Sequence, residues 1–153
     1  MMKAKKNSIE LMQWIVSALT PAMNLHRVQS RIFEKQGYVK IAKKLTESAD
    51  EEQMWIDTFV DRLIDIGGDI KLNYEQNTEV CMNVMEYLEK EAEDSAVSID
   101  AFYDRVNADD YDGVTYLKIM SYLEDEEADA VWFKAQIELA EAVGKENYLA
   151  SLR

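Results

Sequence analysis

Apolar residues recur along this chain at steps of three and four, and nowhere alternate for long as a half-buried strand would require. A first segment, from about Ser8 to Lys35, carries Leu11, Ile15, Leu19, Ala22, Met23, Val28, Ile32 and Phe33 on one stripe. Pro21 falls inside it, which predicts either a kink or a fresh start with Thr20 as N-cap. Gly37 ends the segment. A second helix is predicted from Val39 to Ile66, with Ile41, Leu45, Trp55, Phe59, Leu63 and Ile66 on one face and a stop at Gly67–Gly68. The polar stretch DIKLNYEQNT has no helical pattern and reads as a long crossover. Asn77 or Thr78 is the expected cap of a third helix bearing Met85, Leu88, Ala92, Ile99, Phe102 and Val106. An acidic turn, NADDYDG, precedes a fourth helix with Leu117, Met120, Leu123, Trp132, Phe133, Ile137 and Leu139. Gly144 closes that helix, and KENYLASLR suggests a short fifth.

Four helices of about 27 to 32 residues would each be roughly 40–48 Å long. Long helices, short turns after the first and third and one long crossover after the second describe an antiparallel all-α four-helix bundle. A chain of 153 residues suits a single domain, 1–153.

Charge and composition narrow the function. Thirty acidic residues against 17 basic give a net charge of −13, which opposes nucleic-acid binding through the main surface and favours attraction of cations. Lys3, Lys5 and Lys6 are too few to reverse this. One cysteine, Cys81, excludes an internal disulfide and Cys-based zinc frameworks. One histidine, His26, excludes His-rich metal sites. No apolar run reaches the roughly 18 residues of a membrane span, and no signal peptide is visible, so the expected location is cytoplasmic. Asp109, Asp110 and Asp112 lack the spacing and closing Glu of a calcium loop and read as a solvated turn. Cys81 reads as an inert buried thiol, and the tryptophans and methionines as core and interface filling.

The stretches MNLHRVQSRIFEKQG, ESADEEQMWIDTFVDRLIDIGG and YLEDEEADAVWFKAQIELAEAVGKENYL resemble the bacterioferritins and, more broadly, the ferritin superfamily, over essentially the whole chain. The most specific pieces are Asp57, Asp61, Arg62, Gly67 and Gly68 in D-x-x-x-D/E-R-x-x-x-x-G-G, then LEDEEAD and GKENYL. The resemblance implies iron oxidation and storage in a homo-oligomeric shell, with two irons held by carboxylates and imidazoles at the bundle centre. It leaves room for a sister ferritin subunit, and implies neither a membrane nor a nucleic-acid partner.

Carried over by position, the ligand pattern is incomplete. Leu19 stands where the first-helix Glu is expected. Glu52 maps to the second-helix Glu, with Trp55 in place of its His; the third-helix position falls near Ser95, with Glu91, Glu93 and Asp94 close by in other phases. On the fourth helix Glu126 pairs with Asp129 where His is usual. Glu52, Glu126 and Asp129 are therefore the candidate oxygen ligands of a bundle-centre iron. The rival reading is a hydrogen-bonded or water-filled remnant. The two separate on whether the space beside Glu126 is open or plugged by Leu19 and Trp55. Gln53 occupies the haem-ligand position, so haem is not expected. A second resemblance, to DNA-protecting mini-ferritins, implies an iron site between subunits built from His26 of one chain with Asp57 and Asp61 of its neighbour. Otherwise His26 is a structural side chain satisfied by a carboxylate. The leading expectation is an iron-binding, iron-storing subunit with weak or absent ferroxidase activity; the alternative is a structural ferritin-like subunit without a metal centre.

Overall fold

The computed structural model describes residues 6–72 and 79–153. It contains α1 (Lys6–Lys35), α2 (Val39–Asp65), α3 (Val84–Tyr103), a single 3-10 turn at Ala108–Asp110, α4 (Gly113–Val143) and α5 (Lys145–Ser151). α1 packs chiefly on α2, α3 on α4, and α5 on α4.

Pro21 sits within a continuous α1. Thr20 does not cap a new helix; its hydroxyl donates back to the Val16 carbonyl at 2.9 Å, the usual bond of a mid-helix threonine. α3 is 20 residues long, shorter than the sequence pattern predicts. It starts at Val84 because the Asn83 side chain accepts from the Met85 and Glu86 backbone N–H groups. The expected caps Asn77 and Thr78 lie outside the described residues. Val28, Leu117 and Leu139, assigned to inward stripes from the sequence, face outward. The true α1 stripe runs through His26 and Gln29 instead, and that of α4 through Thr115, Ile119 and Tyr122.

The core falls into two apolar clusters, and their membership gives the topology. One gathers the start of α1 (Leu11, Ile15), the end of α2 (Phe59, Leu63), the end of α3 (Phe102) and the start of α4 (Ile119). The other gathers the end of α1 (Phe33), the starts of α2 (Leu45) and α3 (Leu88), the end of α4 (Phe133, Ala140) and α5 (Tyr148, Leu152). Thus α2 and α3 run in the same direction, and the chain between them must return along the length of the bundle. The described residues on either side of it lie beside α1. Gln13 donates to the Asp69 carbonyl and Ser17 to that of Lys71. Fully buried Gln29 holds Cys81 through both its groups, donating to the carbonyl at 2.8 Å and accepting from the N–H at 2.6 Å.

Two bonds of roughly 1 kcal/mol each, made by a side chain with no water to replace them, set an expectation for Gln29→Ala. It should lose about 2 kcal/mol in denaturant unfolding. Gln36→Ala removes one exposed bond to the Met82 carbonyl and should stay within about 0.5 kcal/mol.

The turns close in the same local way. Gly37 (φ +90°) lets the chain leave α1, and there Arg153 lies over the Tyr38 ring while the Lys40 N–H reaches the Leu152 carbonyl. The acidic turn before α4 is not merely solvated. Asp112 caps α4 through Thr115 N and also accepts from buried Arg62 at 2.7 Å and from Ser8 at 3.0 Å, tying α1, α2 and α4 together.

Candidate functional site

Between the two apolar clusters lies a polar layer to which each long helix contributes: His26 from α1, Glu52 from α2, Glu91 from α3, and Glu126 and Asp129 from α4. They line a cavity of about 330 Å³. Trp14, Leu19, Leu25, Phe102 and Leu123 form much of its apolar wall, and exposed Asp94 and Ser98 of α3 mark the side nearest solvent. Leu19 borders this space without filling it. Trp55 turns away, stacking on Phe59 and donating its indole N–H to Asp125 at 2.7 Å. The space beside Glu126 is therefore open rather than plugged.

The organising group of the layer is His26. Its Nδ1 stands 2.7 Å from Glu52 Oε1 and its Nε2 3.3 Å from Glu91 Oε2, with all three side chains nearly enclosed. Nε2 hydrogen-bonds to Glu91, and the shorter Nδ1 contact makes a close ion pair with Glu52. Burial by itself would depress the imidazole pKa, but hydrogen bonding and Coulombic attraction from Glu52 and Glu91 outweigh it and carry the pKa up to about 10. At neutral pH the ring is an imidazolium. A buried cation thus neutralises carboxylates that would otherwise be costly to bury.

The remaining acids are handled individually. Asp129 is held by Lys44 Nζ at 3.0 Å, and Lys44 also lies over the Trp132 ring. Burial, reinforced by the charges of Asp129, Glu52 and Asp125, pushes the Glu126 carboxyl up to about 8, so it is largely protonated at neutral pH. Burial likewise raises Glu52, against the opposing effect of His26. Glu52 Oε2 and the Tyr87 hydroxyl are buried without hydrogen-bond partners.

Of the residues expected to serve iron, Glu52, Glu126 and Asp129 do meet at the centre. Asp57 and Asp61 do not: both are exposed on α2, and Asp57 accepts from Gln53 at 2.9 Å. His26 lies inside its own bundle, against Glu52 and Glu91. Glu91 was named from the sequence only as a neighbour of the third-helix position, and Lys44 not at all. Glu91 carried a readable signal, since it stands on the α3 stripe one turn after Leu88; Lys44 carried none, because only tertiary packing brings it to Asp129.

Two irons do not fit this set. Both nitrogens of the lone imidazole face carboxylate oxygens, a lysine engages Asp129, and Leu19 and Trp55 offer no donor to the cavity. Among the described residues, no three His, Cys, Asp or Glu side chains gather as a metal-binding group. The arrangement balances charge inside the bundle, with an imidazolium between Glu52 and Glu91 and an ammonium on Asp129.

Comparison with known proteins agrees with the architecture. Residues 9–143 match the ferritin-like domain family. Bacterial ferritins of Neisseria meningitidis serogroup B and of Neisseria gonorrhoeae are each 26% identical to the chain, over 98% of its length and 99% of theirs. No described helix is long and apolar enough to cross a membrane. With four long helices, a short closing helix and a match over most of its length, this chain belongs to the ferritin-like family.

Proposed function

We propose that the protein is an iron-storage subunit of ferritin type, assembling into a homo-oligomeric cytoplasmic shell, whose own bundle centre has weak or no ferroxidase activity. The observation that carries the second half is the His26 imidazolium lodged between Glu52 and Glu91. A divalent cation entering there would have to displace an internal cation already paired in place. The bacterial ferritin relatives and the acidic composition support iron as cargo. Haem has no part in this reading, since Gln53 stands where the resemblance places the haem ligand.

Aerobic loading with Fe²⁺, followed by size-exclusion chromatography and an iron count per subunit, tests both halves. The expected result is slow oxidation at the rate of an unrelated acidic protein, together with iron retained in a large assembled fraction. A fast phase that saturates near two ions per subunit and disappears in Glu126→Ala would sink the inactive-centre reading. Retention no higher than the control would sink storage by this chain alone. A second reading then stands, a structural subunit working beside a catalytic sister chain. It is favoured by the apolar side chains left outside, including Ile64, Leu117 and Val131, each at least 60% exposed.

A further inference from the structure

We propose that Trp55 is the side chain that gives up an electron when a one-electron oxidant attacks this protein, with Asp125 taking the indole proton. The order among the three tryptophans follows from their contacts. Only the natural source of the oxidant, Fe²⁺ meeting hydrogen peroxide, rests on the reading of iron as cargo.

Trp14, Trp55 and Trp132 are all half-buried, so exposure does not rank them. Their neighbours differ in charge. The Arg105 guanidinium lies 4.6 Å from the centre of the Trp14 ring, and the Lys44 ammonium 5.3 Å from that of Trp132. A cation over a ring holds its π electrons and opposes the positive charge that losing one would create. Both rings are thereby harder to oxidise. Trp55 carries no such cap among the described residues. Phe59 stacks on it at 5.9 Å, Tyr122 meets it at a steep angle at 5.7 Å, and its N–H donates to Asp125 Oδ2 at 2.7 Å. The carboxylate favours electron loss twice. Its charge attracts the positive charge on the ring, and its oxygen accepts the proton that an indole radical cation releases.

In the step, one electron passes from the Trp55 ring to the oxidant, which is reduced; a hydroxyl radical becomes hydroxide. The Nε1 proton crosses the existing hydrogen bond to Asp125, leaving a neutral indole radical and a neutral acid. One electron from a soluble reductant such as ascorbate, with the proton returning from Asp125, restores the ring. The site is also connected to the interior. Tyr122 lines the central cavity, and Trp14 reaches Tyr122 through Phe102, with ring centres 6.0 and 5.6 Å apart. An electron lost from Trp14 or Tyr122 can therefore be replaced along this row from Trp55.

The test uses azide radicals, generated by pulse radiolysis in the full-length, iron-free protein and reduced to azide as they oxidise aromatic rings. Mass spectrometry of the oxygen-trapped products gives the oxidised fraction at each tryptophan. Trp55 is expected to carry at least about threefold more than Trp14 or Trp132. Asp125→Asn keeps an acceptor oxygen for the N–H but removes the charge, and should lower the Trp55 share about threefold. Arg105→Gln, at an exposed position, should raise the Trp14 share; helical circular dichroism reports that both variants are intact. Equal yields at the three rings overturn the proposal. So does a Trp55 share unmoved by Asp125→Asn, or a Trp14 share unmoved by Arg105→Gln. Because azide radicals need no iron, these outcomes strike this inference alone, whereas an iron count no higher than the control strikes only the reading of iron as cargo.

Discussion

Replacing His26 by alanine is expected to destabilise the protein by about 3–5 kcal/mol near pH 6, because it leaves the carboxylates of Glu52 and Glu91 facing each other without their cation. Part of that loss will be moderated by protonation of Glu52, whose carboxyl burial already pushes upward. The pH dependence identifies the cause. The imidazole pKa is raised on folding from 6.5 to about 10, so its contribution is full below about 6.5 and vanishes as pH rises through about 10. Glu126 adds to the same slope. An acid raised from 4.5 to about 8 on folding costs stability increasingly as pH climbs between those values. The wild-type protein should therefore weaken steadily from acid-neutral to alkaline conditions. Glu126→Gln should remove the part below about pH 8, and His26→Ala the part above about 6.5. Urea unfolding at several pH values measures this. A difference between wild type and His26→Ala that is the same at about pH 6 and about pH 10 would show that the ring acts by packing alone.

Arg62→Ala should cost a similar amount, about 3–5 kcal/mol, at neutral pH. The guanidinium is almost wholly enclosed, donating from Nε to the Thr115 hydroxyl at 3.1 Å and from a terminal nitrogen to Asp112 at 2.7 Å. Its loss strands a helix-capping carboxylate that also takes the Ser8 hydroxyl. Partial burial works against the charge on Asp112, yet bonds from Thr115, Arg62 and Ser8 prevail and hold its pKa down at about 2. The stability it contributes is present above about 3.8 and disappears as pH falls toward about 2. Asp112→Asn keeps a capping oxygen but not the charge. It should fall between wild type and Arg62→Ala at neutral pH, and it should flatten the acid limb of the unfolding curve. An unchanged acid limb would assign the limb to other carboxylates.

The helices were legible in the sequence because long stripes at steps of three and four leave little choice of secondary structure. The crossover was legible because two glycines and a run of polar residues interrupt that pattern. What failed was local detail. α3 begins only at Val84, capped by Asn83, since a polar segment holds several residues able to cap and only the packed chain decides which does so. Thr20 and Pro21 could start a helix, but nothing in their immediate neighbours says that α1 continues through them. Asp112 looked like surface charge because its partner Arg62 lies 50 positions away. The candidate site was half legible. Resemblance brought Glu52, Glu126 and Asp129 together, but His26 was read as part of a site between subunits or as a structural side chain, not as a member of this layer. Its two contacts lie 26 and 65 positions along the chain, and a charge bridge of that span is decided by tertiary packing.

The division of the core into two apolar ends bears on how such a protein changes over generations. Each end has its own aromatic and aliphatic filling, from Phe59 and Leu63 at one to Phe33 and Tyr87 at the other. The middle can then lose a ligand, gain a histidine or take up a lysine while both ends hold the helices in line. Substitutions there need satisfy only one condition, that positive and negative charge stay matched.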